Sequence, residues 1–342
     1  MAILFLGDFL YDYDKLETDM KKISDWIKKN NYRVILNLEG PITSDFSQKI
    51  KKRGPNLYQH KKVIDILKEL QVVGVCLANN HMMDYGNNGL VETIEILDKN
   101  NILHTGAGRN IYEASIPMVI IDGQYTYEIY NFGWNLEETV YAGTDVMGCS
   151  PREKGHVLNC IDKKNDNSYI KVAIMHWGFE FNHLPMPYDI ELAHEMADKG
   201  CNIIIGHHPH VLQPVEKYKD TLIYYSVGNF YMGTRRQGYL DKLKDNRLGM
   251  GVVIVGKEEK EKCDILYSQN ETQILSSTFD KDITGVDYLS TMYVKKCKKN
   301  SQNYTPILTN NILMNNIKII PLNLFYAIYG KIRYLRKKKG NN

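Results

Sequence analysis

The stretch CNIIIGHHPH, from Cys201 to His210, combines the composition of a buried strand with an unusual density of histidine. Its isoleucines are β-branched, as is typical of strands, and the following Gly206 lets the backbone turn sharply. Three of the ten histidines of the chain then follow, at His207, His208 and His210. Imidazoles two residues apart on such a turn can reach two neighbouring metal ions; the alternative is a turn that is merely rich in histidine. The stretch predicts a metal site if other strands deliver ligands to the same place.

Length and composition describe an ordinary globular protein. The 342 residues can bury a substantial core and fit one large domain, or one domain plus an extension. The net charge of +3 is nearly balanced, so we expect no nucleic-acid partner. The six cysteines are scattered without a CxxC pair, which argues against a thiolate zinc site and favours reduced core residues of a cytoplasmic protein. The apolar run at the N-terminus is too short for a signal peptide, and no apolar stretch is long enough to span a bilayer.

Strand and helix patterns alternate along the chain, which predicts an α/β layered fold. The pair Asp122-Gly123 between two short apolar runs indicates a hairpin. We expect helices over 13–29, 61–70, 89–99 and 190–199, and strands over 2–6, 33–38, 72–77, 102–105, 118–121, 125–131, 169–175, 222–227 and 251–255.

Five of the buried-type strands end in residues that can bind a metal ion. In a mainly parallel sheet the carboxyl ends of the strands lie along one rim, so these residues are expected to meet there. Each one alone has a plainer explanation: a turn residue, a loop acid, a satisfied core histidine or, for Asp84, a helix cap. Together they supply the carboxylate, amide and imidazole donors of a dinuclear site. They are Asp8, Glu39, Asn80 with His81, His176, and His208 with His210.

An ordered set of motifs over roughly residues 1–232 resembles the bacterial capsule-synthesis family typified by CapA. That family is associated with poly-γ-glutamate capsules and is similar to the calcineurin-type metallophosphoesterases. The resemblance implies a four-layer α/β/β/α sandwich with a two-metal rim. The motifs are GD (7–8), NLEGPIT (37–43), LANNHMMDYG (77–86), GAGRN (106–110), HWGFE (176–180), IIGHHPHVLQPVE (204–216) and YSVGNF (225–230).

The same resemblance assigns roles to single residues. It implies two divalent ions, of Mn, Zn or Fe, bridged by Glu39, with His81 contacting the leaving group. The first ion would be held by Asp8, Glu39 and His210. The second would be held by Glu39, Asn80, His176 and His208. His207 has no role that the resemblance assigns.

Two positions depart from the usual phosphoesterase pattern. Leu10 stands where the D-x-H motif carries its histidine, and the bridging carboxylate is Glu39 where aspartate is usual. We therefore expect His210 to be the only imidazole on the first ion, which would bind weakly, and ordinary phosphatase chemistry is in doubt.

Several other polar residues have two possible interpretations, one as part of the site and one as an ordinary surface residue. An anionic substrate needs positive charge, which Arg235 with Arg236, or the run Lys51-Lys52-Arg53, would supply; the alternative in both cases is an exposed basic group. Trp177 and Glu180 are expected to line the pocket, and Glu180 either supports a ligand histidine or is a solvated acid.

The charged, turn-like sequence 256–262 divides the chain into a metallophosphoesterase-like domain, 1–256, and a C-terminal extension, 257–342. A strand is expected over 264–267 and a helix over 287–299. Apolar residues at nearly helical spacing over 322–335 are followed by basic residues. Such a tail can make a peripheral contact with an anionic inner membrane or with capsule-synthesis machinery; the alternative is a helix packed on its own domain.

Two functions of different classes follow. In the first the protein is a metal-dependent hydrolase or transferase acting on an anionic polymer or a phosphorylated substrate in envelope biosynthesis. In the second it is a non-catalytic binding or assembly component of a polymer-synthesis complex.

Overall fold

A computed structural model describes residues 2–11, 20–52, 54–134, 139–161, 169–233, 248–267 and 272–276 of the chain. Its strands are β1 (Ala2–Leu10), β2 (Tyr32–Leu38), β3 (Val72–Cys76), β4 (Leu103–Thr105), β5 (Ala107–Gly108), β6 (Met118–Asp122), β7 (Tyr125–Gly133), β8 (Gly148–Cys149), β9 (Tyr169–His176), β10 (Ile203–His207), β11 (Val215–Tyr218), β12 (Thr221–Tyr224), β13 (Asn229–Met232), β14 (Leu248–Val255), β15 (Glu258–Tyr267) and β16 (Thr272–Ser276). Its helices are α1 (Lys21–Asn30), α2 (Val63–Glu69), α3 (Gly86–Lys99), α4 (Ile111–Ala114), α5 (Lys154–Ile161) and α6 (Pro187–Asp198).

The strands form two large sheets and one two-stranded ribbon. The first sheet has the order β16-β15-β14-β1-β2-β3-β4, with β13 also paired to β1. Its strands β1 to β4 run parallel, whereas β14 to β16 are antiparallel additions. The second sheet has the order β11-β12-β10-β9-β7-β6, with a parallel centre formed by β12, β10, β9 and β7. Each sheet therefore sends several parallel strands towards one end, where ligands usually bind in α/β proteins.

Three separate apolar cores lie between four layers. Along β1 the side chains alternate, so that Leu4 and Leu6 pack against the helices α1 to α3, while Ile3 and Phe5 face the second sheet. The opposite face of the second sheet packs against α5 and α6, for example through Met175 and Ile204. Strands buried on both faces explain the continuous apolar runs in the sequence. The predicted α/β/β/α sandwich is confirmed.

Most of the predicted elements are found near the expected bounds, including the hairpin of β6 and β7. Helix α5 was not predicted. The charged run after residue 256 is predicted to be a turn. This prediction is wrong, because Glu258 to Lys262 belong to β15, which pairs with β14 across a two-residue turn. Strand pairing satisfies the backbone here, so the charged side chains do not prevent a strand.

The division at residue 256 thus falls within a hairpin of the first sheet, and the separate character of the extension stays a prediction. The helix expected over 287–299 and the basic tail lie outside the described residues. Among the helices that the structure describes, none combines the length and the apolar character needed to cross a bilayer.

Candidate metal centre

The predicted ligands come from both sheets rather than from one rim. In the first sheet Asp8 lies near the end of β1, Glu39 follows β2 directly, and Asn80 lies in the loop after β3. In the second sheet His176 ends β9, and the loop after β10 carries His208 and His210. The single-sheet argument placed these residues at strand ends correctly, but it did not show that two facing sheets divide them.

Backbone geometry at the end of β10 explains the sequence of this loop. A Cβ on Gly206 would lie 1.9 Å from the Tyr225 carbonyl oxygen, so only glycine fits at this close approach of two chains. Beyond it, His208 and His210 have positive φ angles of 93° and 56°. Such angles are unfavourable for residues with a Cβ and tend to persist at functional sites, where the surrounding structure enforces them.

Three of the predicted ligands form one compact group. Asp8, Glu39 and His210 each offer a ligand atom, and these atoms all lie within 4.8 Å of one another. Both carboxylates are completely buried, with exposed fractions of 0%. The imidazole lies between them, with Nδ1 3.2 Å from Asp8 Oδ2 and Nε2 3.5 Å from Glu39 Oε1. Buried carboxylates need a nearby positive charge, and carboxylate with imidazole is a donor set that divalent metal ions accept. The group fits a metal ion.

The pKa values in this group show how strongly it favours positive charge. Burial lowers the pKa of His210, but the Glu39 and Asp8 carboxylates outweigh it and raise the pKa to about 9. Burial raises the pKa of Asp8, but the hydrogen bond from His210 and the surrounding imidazoles outweigh this effect and hold the pKa well below its ordinary value. In the metal-free protein the His210 imidazolium therefore occupies the electrostatic place of a bound cation.

The remaining predicted ligands form a second, adjoining set. The Asn80 carboxamide oxygen lies 3.0 Å from His176 Nε2, and the rings of His176 and His208 are 4.7 Å apart. Burial and then the neighbouring His208 lower the pKa of His176 well below its ordinary value, so this imidazole is neutral and able to act as a ligand. Its Nδ1 is buried and makes no hydrogen bond within the described part of the chain. An amide and two imidazoles thus lie close together, and their binding of a second ion stays a prediction.

His81 lies between these ligands and a buried ion pair. Its Nε2 is 3.8 Å from Glu39 Oε1, and its Nδ1 is 2.7 Å from Asp84 Oδ2. Asp84, which the sequence offered as a helix cap, is instead the partner of this imidazole and of Lys52, whose ammonium is 2.5 Å from Asp84 Oδ1. The Lys52 side chain is only 3% exposed. The alternative that the run 51–53 is an exposed basic group is therefore wrong for Lys52.

Three amides that the sequence analysis did not single out hold the ligands in place. Asn37 donates a hydrogen bond of 2.7 Å to Asp8 Oδ1, and Asn229 places its Oδ1 2.7 Å from His210 Nδ1. The Gln59 carboxamide donates to the backbone oxygens of Phe9, which follows Asp8, and of Glu39, at 2.8 and 3.0 Å. Partners of this kind orient metal ligands. Asn37 and Asn229 belong to quoted motifs and were detectable in principle, whereas Gln59 lies in an irregular loop and carried no signal.

Other expectations for the site have mixed outcomes. Trp177 was expected to line the pocket, but it is fully buried and donates its indole N–H to the Tyr225 carbonyl, so it braces the core. His207 is also internal, with its Nε2 3.2 Å from the Leu6 carbonyl oxygen of β1. Glu180 contributes negative charge that raises the pKa of His210. Arg53, Arg235 and Arg236 lie outside the described residues.

Two CapA proteins from Bacillus are among the known proteins with similar sequences. The chain is 33% identical over 196 residues to the "PGA biosynthesis protein CapA" of Bacillus subtilis, which covers 57% of this chain and 51% of that protein. It is 30% identical over 218 residues to the "Capsule biosynthesis protein CapA" of Bacillus anthracis, covering 61% and 52% respectively. The match thus spans about half the length of these curated relatives.

Among solved structures the chain is similar to a 5'-nucleotidase precursor from Thermus thermophilus, with a TM-score of 0.48 and 11% identity, covering 89% of this chain and 60% of that one. It is also similar to a phosphatase from Mycoplasma pneumoniae, with a TM-score of 0.45 and 12% identity, covering 80% and 90%.

The motif set that suggested a family and the site that the two sheets assemble lie in the same part of the chain. The bacterial capsule synthesis protein PGA_cap family matches residues 3–234, a segment that includes all six predicted metal ligands and His81. The chain belongs to this family of bacterial capsule synthesis proteins.

Proposed function

We propose that this protein is a metal-dependent hydrolase of capsule or envelope polymer biosynthesis that uses two divalent ions. The proposal rests on the buried group of Asp8, Glu39 and His210. The Nε2 atom of His81 lies 3.8 Å from the Glu39 carboxylate of this group. A structural metal site needs no such imidazole beside it, whereas a hydrolytic site needs a group that can pass a proton to the departing atom.

Each ion has its own set of candidate ligands. Asp8, Glu39 and His210 would hold the first ion. Glu39, Asn80, His176 and His208 would hold the second. When bound, such ions polarise the phosphoryl or acyl group of a substrate and activate water. Asn229 and Asn37 keep His210 and Asp8 in the orientations that bring their ligand atoms together.

His81 is the residue placed to handle the leaving group. Asp84 Oδ2 engages its Nδ1 at 2.7 Å, which leaves Nε2 directed towards the Glu39 side of the site. When both ring nitrogens carry protons, Asp84 accepts from Nδ1–H, and the proton at Nε2 can be passed to a departing oxygen or nitrogen or can neutralise charge that develops on it. The imidazole is 2% exposed, so its surroundings are largely free of competing water.

The proposed substrate is an anionic polymer or its phosphorylated precursor, with a γ-glutamyl polymer as the first choice. The relatives from Bacillus are named for poly-glutamate and capsule biosynthesis, and they match the segment that carries the site. A cytoplasmic location, with contact between the basic C-terminal sequence and the inner membrane or the synthesis machinery, is a further proposal from the sequence.

Metal analysis of the purified chain tests the site directly. After equilibration with Mn²⁺ or Zn²⁺, we expect about two ions per chain, as in two-metal hydrolases. His210→Ala should lose the first ion before the second, whereas His208→Ala should lose the second. His194→Ala is the matched control, because that histidine is partly buried against Glu216 in another part of the fold. A chain that retains no metal under these conditions would exclude the proposal.

Turnover is tested separately with phosphomonoesters, phosphodiesters and γ-glutamyl polymers. We expect hydrolysis of at least one class, abolished by His208→Ala and unaffected by His194→Ala. Activity that survives His208→Ala unchanged would show that the chemistry takes place elsewhere.

The second candidate function is a binding or assembly component of the polymer-synthesis complex. Leu10 favours it, because an apolar, 2% exposed side chain stands where phosphoesterases place an imidazole of the first ion. A protein of this type would bind metal and polymer without turnover. Binding of γ-glutamyl polymer to the metal-loaded protein, with no hydrolysis of any substrate class, would favour this candidate over the first.

A further inference from the structure

Lys52 is a buried cation that reaches the site from an irregular loop. Its ammonium is 2.5 Å from Asp84 Oδ1, 3.1 Å from the Asn80 carbonyl oxygen and 3.0 Å from His81 Nδ1. The side chains of the ion pair are 3% and 0% exposed, so water screens the two charges little. The loop that carries Lys52 connects β2 with α2 and is itself tied to the Asp84 backbone by Ile50 and Asn56. One lysine thus contacts two neighbouring residues of the predicted site.

The contacts of Lys52 bear on which nitrogen of His81 carries a proton. An ammonium can only donate, and the Asp84 carboxylate can only accept, yet both approach the same Nδ1. The carboxylate contact is the shorter, at 2.7 Å against 3.0 Å, and it is charge-assisted when Nδ1 donates. Asp84 Oδ2 also accepts from the Leu57 N–H at 2.7 Å, which fixes this oxygen in front of the ring. The geometry therefore favours the tautomer with its proton on Nδ1.

We propose that Lys52 is a positioning residue for His81: by holding Asp84 Oδ1 and the Asn80 carbonyl, it keeps Asp84 Oδ2 on the Nδ1 side of the imidazole and Nε2 towards Glu39. Lys52 does not reach the substrate in this arrangement, because its ammonium already contacts three groups within the protein. Without the ammonium, Asp84 Oδ1 would lose its cation and only the Leu57 N–H would still hold Oδ2, so the carboxylate and the ring would be held less firmly in one orientation.

The ring orientation can be measured without any substrate. In metal-free protein with ¹⁵N-labelled histidine, long-range ¹H–¹⁵N spectra distinguish the two tautomers, and the His81 signals are identified by their loss in His81→Asn. We expect the Nδ1–H form in the wild type and in Lys28→Met, and a mixture of tautomers in Lys52→Met. Lys28 is the matched control because it forms an ion pair with Glu69 that is 40% and 49% exposed. An unchanged His81 tautomer in Lys52→Met would overturn the proposal.

The consequence for turnover rests on the proposed hydrolase function. Lys52→Met should lower kcat by about 10- to 100-fold, the usual effect of removing a residue that orients the active group, while KM and metal content stay near wild type. Lys52→Arg should restore most of the rate, because it returns a cation to Asp84. Lys28→Met should behave as wild type. A Lys52→Met enzyme with wild-type kcat would refute the positioning role.

A double variant separates positioning from simple charge balance. Lys52→Met with Asp84→Asn removes both buried charges, and its melting temperature should recover relative to Lys52→Met. Its kcat should stay low, because an amide can donate or accept and no longer selects one tautomer. Recovery of wild-type kcat would mean that Lys52 only neutralises Asp84, contrary to the proposal. If no substrate is turned over by the wild type, the hydrolase function fails, while the tautomer measurement still decides the role of Lys52.

Discussion

Replacing His210 with alanine in the metal-free protein should lower the free energy of unfolding, because two buried carboxylates lose their cationic partner. The imidazole lies between Asp8 and Glu39, at 3.2 and 3.5 Å, and both carboxylates are fully buried. Removing one partner from a buried ion pair costs about 3–5 kcal/mol of unfolding free energy, because the opposite charge is left without compensation. The pKa gives a similar figure. Burial lowers the pKa of His210, but the two carboxylates raise it from 6.5 to about 9, which corresponds to about 3 kcal/mol.

The cost of His210→Ala should depend on pH in a defined direction. The folded-state pKa of His210 lies above its ordinary value of 6.5, so its contribution to stability is fully present below pH 6.5. This contribution is lost as the pH rises through about 9, where the folded protein releases the proton. The destabilisation caused by His210→Ala should therefore be large near pH 6 and should shrink by about 3 kcal/mol near pH 10.

Urea denaturation with a chelator present, at both pH values, measures this cost. His207→Ala is the control, because burial lowers the pKa of His207. A histidine whose pKa is lowered on folding contributes less to stability at low pH, so the cost of His207→Ala should not decline from pH 6 to pH 10. An equal cost of His210→Ala at the two pH values would refute the reasoning, and so would an equal decline for His207→Ala.

Three further perturbations test the support of the site. Asn229→Ala should weaken metal binding about 10- to 100-fold by freeing His210, measured by isothermal titration calorimetry, and unchanged affinity would contradict this. Gly206→Ala should destabilise the fold by about 3 kcal/mol or more in urea denaturation, because its Cβ would meet a backbone oxygen at 1.9 Å, whereas Gly155→Ala, in an open helical position, should be neutral or stabilising. Gln59→Leu leaves buried backbone groups without their side-chain partner and should lower the melting temperature; a wild-type value would show that water replaces the amide.

Local patterns predicted the fold well where burial is extreme. Strands such as β1 and β10 are covered on both faces, so their sequences are continuous apolar runs that end at glycine and a polar residue. The run Glu258 to Lys262 was predicted to be a break, but it pairs with β14, and backbone pairing satisfies a strand without apolar side chains. Helix α5 was not predicted for a different reason. Only two of its eight residues are buried, so its apolar residues are too few to show a helical period.

The sequence alone determined that polar residues follow several buried strands, and the carboxyl ends of parallel strands meet at one edge of a sheet. That placed Asp8, Glu39 and His210 among the candidate ligands before any distance was known. Only the tertiary structure decided that two facing sheets bring these three within 4.8 Å of one another. It also decided that Lys52, which reads as a surface charge, is buried against Asp84. Such long-range contacts depend on how layers pack, and packing leaves no periodic signal in the residues of an irregular loop.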